Sequence, residues 1–177
     1  MSMSVESFKG ETPSYILSDE LERLRQKIIA QHIAAGQKAS GRTAASMRVE
    51  VEPEHGTLYG RTAFGTLETG RKPGKVPMNF TGIIKQWMHD KGISGTPIPY
   101  KTDRPHKYTP QERGDNTLAY FIARKIKNSG TSLFRKGGRA DIYSNAIPET
   151  TARILDRLVK LVSENIESIK LNGKEQI

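Results

Sequence analysis

The alternation of apolar and polar residues from Met47 to Glu52 constrains the fold most, because it has the two-residue period of a β-strand. Met47, Val49 and Val51 share one face, and the charged residues between them share the other. The turn PEHG and a second run that ends at Phe64 follow. The segment therefore predicts a β-hairpin over about residues 47–64, with a loop of about four residues and one face packed against helices.

Four segments of the chain have the 3.6-residue apolar period of helices. Their predicted bounds are Ser18 or Asp19 to the residue before Gly36, Asn79 or Thr81 to Lys91, Asp115 or Asn116 to Ser129, and Pro148 to Ile169. The apolar stripes expected to build the core are Leu21, Leu24, Ile28 and Ile33; Phe80, Ile83, Ile84, Trp87 and Met88; and Leu118, Phe121, Ile122 and Ile126. Trp87 is the expected core anchor. The prediction is a small α+β fold in which an antiparallel hairpin packs against about four helices.

The length of 177 residues suits one domain, and the sequence contains no internal repeat and no linker that divides it. We expect a polar N-terminal extension at 1–17, a single α+β domain at 18–170 and a C-terminal tail at 171–177. The N-terminus lacks the basic start and apolar run of a signal peptide. No apolar stretch approaches the ~20 residues of a membrane span, so we expect folding in a cytoplasm and no membrane partner.

Positive charge is concentrated in the middle of the chain. Residues 61–139 contain 16 Lys and Arg against 5 Asp and Glu, whereas the overall net charge is +9. Two long loops lie in this region, SGTPIPYKTDRPHKYTPQERG at 94–114 and GTSLFRKGGRADIYSNAI at 130–147. A third segment, FGTLETGRKPGKVP at 64–77, places basic residues around the single acid Glu68. Such a charge distribution favours binding to an acidic partner, which is either nucleic acid or an acidic protein surface. The alternative is a basic surface that serves only solubility.

The residues needed for several kinds of chemistry are missing from the sequence. The absence of cysteine excludes disulfides, thiolate metal sites and a cysteine nucleophile. The four histidines do not fall at metal-ligand spacing, and GRKPGK lacks the hydroxyl residue that follows the lysine of a phosphate-binding loop. The carboxylates in the basic region, Asp103, Glu112 and Asp115, are too few for a two-metal nuclease. We therefore expect no enzyme activity, no cofactor and no metal.

Nucleic-acid binding is the main alternative that the basic middle leaves open. Its Lys and Arg side chains are suited to phosphates, and Tyr100, Tyr108 and Phe134 lie among them as stacking candidates. No RNP-like strand pattern and no helix-turn-helix pair with a basic recognition helix is present. The alternative prediction is therefore a protein that binds DNA without sequence specificity.

Four segments that follow one another between Ala39 and Val162 resemble a known family. They are SGRTAASMRVEV, GTLYGRTAFGTLETGRKPGKVP, IIKQWMHDKGI and LAYFIARKIKNSGTSLFR. In this order they resemble the neck or head–tail joining proteins of tailed bacteriophages, also called minor tail or tail-completion proteins. The family pattern includes an acid followed by glycine after the hairpin, here Glu68–Thr69–Gly70, and a Gly–Thr loop before the last helix, here Gly130–Thr131.

The resemblance implies a virion structural protein that forms a homo-oligomeric ring at the neck and performs no catalysis. It implies assembly in the bacterial host cytoplasm and location in the virion. The implied partners are portal-side adaptor or connector proteins and tail-tube or tail-terminator proteins, with non-specific contact to viral DNA. The final helix carries more apolar residues than one face needs, so we expect it also to pack against a neighbour. The residues expected to face a partner or DNA are Arg61, Glu68, Arg71, Lys72, Lys75, Lys101, Arg104, Lys107, Arg135, Lys136 and Arg139.

Overall fold

The computed structural model describes residues 11–53, 55–102 and 104–172, without the side chains of 168–172. Residues 1–10 of the predicted extension, 173–177 of the predicted tail, Glu54, Asp103 and the side chain of Ile169 lie outside the described residues. The elements in chain order are α1 (Pro13–Ala34), α2 (Arg42–Ala45), β1 (Arg48–Val51), β2 (Gly56–Tyr59), a 3₁₀ helix (Thr62–Gly65), α3 (Thr66–Thr69), α4 (Phe80–Asp90), α5 (Pro110–Ser129), α6 (Ser132–Arg135) and α7 (Ala146–Asn172). The predicted α+β class is confirmed.

The hairpin pairs β1 with β2 in antiparallel register, with Val49 opposite Leu58 and Val51 opposite Gly56. Its buried face rests on α1, and the residue before β1, Met47, belongs to the core. The prediction that the return strand continues to Phe64 is wrong. Thr66 and Thr69 hydroxyls donate to the carbonyls of residues 63 and 65 at 2.7 and 3.0 Å, and these local bonds favour helical turns over a strand.

Helix α1 begins at Pro13, so its predicted start at Ser18 or Asp19 is wrong. The hydroxyl of Thr12 accepts a hydrogen bond from the backbone N–H of Tyr15, and proline in the first turn needs no such partner. Ile16 is fully buried, so residues 13–17 of the predicted extension are part of the packed helix.

Helix α5 begins at Pro110, five residues before its predicted start at Asp115. Thr109 and Glu112 form a capping box in which each side chain accepts a hydrogen bond from the other residue's backbone N–H. The long basic loop before α5 therefore ends at Thr109 and is hydrogen-bonded to the helix. The Asp115 carboxylate accepts from the backbone N–H of Gly95 at 2.7 Å, and Arg113 donates to two carbonyls of the loop at 3.1 and 3.0 Å.

The described core consists of two clusters. One joins α1, the hairpin and the start of α7, and contains Leu24, Ile28, Met47, Ile142 and Ala146. The other lies between α4 and α5 and contains Ile84, Met88, Ala119 and Ala123. Helix α5 therefore meets α4 through its alanines, which allow the two backbones to approach closely.

Four predicted core residues lie on the surface. Ile83, Trp87 and Phe121 are 49%, 37% and 57% exposed, so the prediction that Trp87 is a core anchor is wrong. The reason is that α4 packs on α5 with only part of its apolar stripe. Ile33, at the end of the first predicted stripe, is also exposed.

Helices α1 and α7 run antiparallel and are joined by ion pairs. Lys27 contacts Glu149 near one end, and Arg153 contacts Glu20 at 2.8 Å near the middle. Arg157 contacts Glu20 and also Glu11, which precedes the first residue of α1. Arg157 also pairs with Asp19, and Leu158 and Leu161 are half-buried, so α7 continues along α1 beyond Arg157 before its last turns pass the start of that helix.

Candidate interaction surfaces

Glu68 is the central anchor of the segment at 64–77. Its Oε1 accepts hydrogen bonds from the backbone N–H groups of Ile142, Tyr143 and Ser144 at 2.9, 2.7 and 3.0 Å. Its Oε2 accepts a hydrogen bond from the Ser144 hydroxyl. The rings of Phe64 and Tyr143 stack beside it with centroids 5.1 Å apart. One carboxylate thus ties the segment to the turn before α7.

The environment of the Glu68 carboxyl favours its ionised form. Burial by itself raises the pKa of this group, but the Ser144 hydroxyl and the three backbone N–H donors outweigh burial and hold the pKa below its ordinary value. Only 3% of the residue is exposed. The prediction that Glu68 faces a partner is therefore wrong, because its carboxylate is buried and bonds to the turn at residues 142–144 of its own chain.

The two motifs that carry the family resemblance, Glu68–Gly70 and Gly130–Thr131, meet in the structure. The backbone N–H of Thr131 donates to the Arg71 carbonyl at 2.9 Å, and the backbone N–H of Arg71 donates to the Thr131 hydroxyl at 3.0 Å. Gly130 has φ +75°, and a Cβ there would lie 2.7 Å from the Arg71 carbonyl oxygen. The close approach of these two loops requires glycine at this position.

Arg71 supports the loop instead of presenting its full charge to a partner. Its Nη2 donates to the Lys75 carbonyl at 2.7 Å, and its guanidinium lies 5.5 Å from the centroid of the Phe80 ring. Its Nε is buried and has no hydrogen-bond partner among the described residues. At the loop tip, the backbone N–H of Gly74 donates to the Lys127 carbonyl at 2.9 Å.

Two exposed lysines line a cleft of about 570 Å³ beside this loop, and two more exposed basic residues follow another lining residue in the sequence. The cleft is lined by the loop residues Lys72 and Lys75 and by Phe134 of α6, and Arg135 and Lys136 follow Phe134 directly. We call Lys72, Lys75, Arg135 and Lys136 the basic loop surface. Arg139 lies nearby, but it forms a two-bond ion pair with Asp141 at 2.5 and 2.6 Å, which offsets its charge.

The predicted residues of the long loop form a separate basic group. Lys101, Arg104 and Lys107 are exposed near the start of α5, whereas the basic loop surface adjoins its end. Lys127 lies seventeen positions after Pro110 on α5, which separates the two groups by roughly 25 Å at about 1.5 Å per residue. Arg61 is exposed at a third place, after the hairpin. The eleven predicted residues therefore do not form one continuous surface.

Tyr100, proposed above as a base-stacking residue, is already packed within its own loop. The Tyr100 ring stacks on the His106 ring with centroids 3.4 Å apart. The guanidinium of Arg113, a residue of α5, lies 4.1 Å from the centroid of the Tyr100 ring. These contacts stiffen the long loop. Tyr108 and Phe134, the other two candidates, are 41% and 40% exposed.

An exposed apolar ridge runs along the second half of α7. Leu155, Val159, Val162 and Ile166 are 58%, 65%, 54% and 48% exposed and follow one another at intervals of four and three residues. We call these four residues the α7 ridge. The excess of apolar residues in this helix was visible in the sequence, but which of them face solvent depends on which side of α7 packs on α1.

A second apolar surface, missed in the sequence, is a groove of about 320 Å³ between α4 and α5. We call it the α4–α5 groove. The helical period of α4 does not predict this groove, because it places Trp87 on the same stripe as the buried Ile84 and Met88. The groove is lined by Phe80, Ile84, Trp87, Ile122 and Ile126, with Arg71 and Thr131 at one end.

Within the described residues, no cluster of three or more His, Asp or Glu side chains has the arrangement of a metal site. No helix in the same part of the chain is long and apolar enough to cross a membrane. Comparison with protein-family models, with curated proteins and with solved structures finds no match. The resemblance to phage neck proteins therefore stays a prediction.

Proposed function

We propose that this chain is a virion structural protein of a tailed bacteriophage, which forms a ring at the neck and joins the head to the tail. The observation that carries the proposal is that one chain leaves two apolar surfaces uncovered, the α7 ridge and the α4–α5 groove. Contiguous exposed apolar side chains are typical of surfaces that other protein chains cover. In a closed ring, each copy covers such surfaces on its neighbours.

The basic loop surface is the candidate contact with the rings above or below. Glu68 and Gly130 fix the base of the loop, so Lys72 and Lys75 project from a rigid support. Positive side chains held in this way suit an acidic rim on a portal-side adaptor or a tail-side terminator. Each contact is weak, but a ring repeats it many times, and the summed affinity is high. The proposed role is docking, without a catalytic step.

Native mass spectrometry combined with negative-stain class averages tests this proposal. We expect a closed ring of defined copy number, either from the purified protein alone or after mixing with neck components of the virion. A monomer at every concentration that joins no particle contradicts the proposal.

A non-sequence-specific DNA-binding protein is the second candidate, and the two exposed basic groups favour it. If Lys72, Lys75 and the long-loop group contact phosphates, duplex binding must weaken steeply with salt, with a slope of about −0.9 per phosphate in a log–log plot. Fluorescence anisotropy with a labelled duplex measures the slope. Replacing Lys72 and Lys75 by Glu should then lower the slope by about two, and an unchanged slope excludes these two residues from DNA contact.

A further inference from the structure

We propose that the α7 ridge of one copy binds in the α4–α5 groove of a second copy, and that this contact joins neighbours in the assembly. The inference rests on the ring proposed above and names the surfaces that close it. A contact between two different surfaces leaves each copy with one free ridge and one free groove. Such head-to-tail contacts generate rings, whereas a contact of one surface with itself stops at a dimer.

The position of the ridge argues for a partner outside its own chain. The described ion pairs between α1 and α7 stop at Arg157, which contacts Asp19 and Glu20 within α1 and Glu11 just before it, and only the half-buried Leu158 and Leu161 follow on the same side of α7. Helix α7 continues for fifteen more residues to Asn172, which is about 22 Å of helix. A helix of this length is marginal in water unless its apolar side packs on something. Val159 and Val162 are both more than half exposed in the single chain.

The shape of the groove matches a helix ridge. Two packed helices form its walls, and Trp87 lies along it with 37% of its surface exposed. Apolar residues at intervals of three and four, as in the ridge, are the pattern with which an amphipathic helix enters a groove. Ile83, at 49% exposure, is on the same side of α4 as Phe80 and Trp87 and widens the apolar border. The volume of about 320 Å³ accommodates a few side chains, not a whole helix.

Charge favours this pairing over a contact of the ridge with its own copy. Asp156, Lys160 and Glu167 are exposed and lie on one flank of the ridge, as the helical period places them, so this flank carries two acids and one lysine. Two ridges facing each other would bring these acids toward their equivalents. The groove instead offers Arg71 at one end and the exposed Lys125 next to Ile126.

The single tryptophan of the sequence lies in the groove and reports on its occupancy. In the wild-type protein we expect the emission of Trp87 to shift to shorter wavelength as concentration rises and the assembly forms. Val159→Glu should keep the long-wavelength emission at all concentrations. Lys160→Glu, which places the same side chain at the next position and off the ridge, is the matched control and should behave as wild type. A shift of equal size in Val159→Glu overturns the proposal.

Mixing a ridge variant with a groove variant tests whether the ridge binds the groove of another copy or the ridge of another copy. Val159→Glu and Trp87→Glu should each be monomeric alone, and Ile83→Glu serves as the groove variant if Trp87→Glu does not fold. An equimolar mixture should give a complex of two chains by native mass spectrometry, because one intact ridge and one intact groove remain. A groove variant that assembles like wild type overturns the proposal and favours ridge–ridge pairing.

Three further outcomes are distinguishable. If wild type and both variants all form rings, the ring proposal stands and this contact is refuted. If wild type forms no ring under any condition, the proposed function itself fails. A wild-type monomer that Val159→Glu destabilises would show that the ridge is covered within its own chain, which also refutes the contact.

Discussion

At the scale of single residues, the fold depends on a few buried charges whose partners are distant in sequence. Glu68 is 3% exposed, and its donors lie more than seventy positions away, at residues 142–144. Glu20 is 1% exposed and pairs with Arg153 and Arg157 of α7. In both cases the carboxylate joins segments that meet only in the folded chain.

Glu68→Gln should destabilise the protein by about 2 kcal/mol, because the amide offers one acceptor oxygen where the carboxylate offers two and turns an N–H group toward backbone donors. Urea unfolding followed by circular dichroism measures the change. Glu52→Gln, at an exposed position of the hairpin loop, is the control and should change the free energy of unfolding by less than about 0.5 kcal/mol. Equal effects of the two substitutions would show that the Glu68 bonds add nothing to stability.

Acid should unfold the protein through the same carboxylates. Burial raises the pKa of Glu20, but the arginines Arg153 and Arg157 outweigh it, so the pKa is lowered, as it is for Glu68. A lowered pKa stabilises the fold fully above the ordinary value near 4.3, and this stability is lost as pH falls through the lowered value. We expect a constant urea midpoint from pH 7 to about 5 and a decline below about pH 4.5. Glu68→Gln should show a shallower decline, and an identical decline would exclude Glu68 as a contributor.

At the scale of elements, short loops hold the basic loop surface in place. The segment after α3 and the segment after α5 exchange two hydrogen bonds through Arg71 and Thr131. The loop tip is bonded to the end of α5 through Gly74. These contacts explain why a segment rich in glycine and charge has a defined path.

Gly130→Ala should separate these two loops. Alanine at φ +75° costs about 1–2 kcal/mol in backbone strain, and its Cβ would also meet the Arg71 carbonyl oxygen at 2.7 Å, for a total of about 3 kcal/mol. Gly137→Ala is the matched control, since Gly137 has φ +87° with no atom within 4 Å of an added Cβ. Thermal unfolding compares the two variants. Equal losses would mean that backbone strain alone acts and that the loops do not need their close approach.

At the scale of the whole molecule, the chain has two core clusters of four and five buried residues, and large apolar surfaces remain outside them. The cluster around α1 includes the hairpin and the start of α7, and the other cluster joins α4 and α5. Assembly would cover the α7 ridge and the groove, so stability and assembly are coupled under the proposed function.

Amide hydrogen exchange should distinguish the core clusters from the part of α7 that carries the ridge. In the monomeric Val159→Glu variant, amides of residues 159–167 should exchange much faster than those of residues 119–123, which lie in the α4–α5 cluster. In the wild-type assembly, residues 159–167 and the groove residues 80–87 should both become protected. Protection of 159–167 in the monomer at the level of the core would contradict the view that this half of α7 lacks a partner in its own chain.

The sequence by itself determined the elements whose signals are local. The alternation at Met47–Val51 fixed the first strand, and the helical periods placed α4 and α7, because backbone period and side-chain pattern act over a few residues. The capping box at Thr109–Glu112 was also readable and was overlooked, as was the proline at the start of α1.

Only the tertiary structure decided which apolar stripes are buried and which charges are free. Ile84 and Trp87 belong to the same apolar stripe in the sequence, yet α5 covers Ile84 and leaves Trp87 on the surface. Glu68 and Lys72 lie in the same charged segment, but the turn before α7 reaches only Glu68. Burial is a property of how elements pack, and packing depends on distant residues that no local pattern encodes.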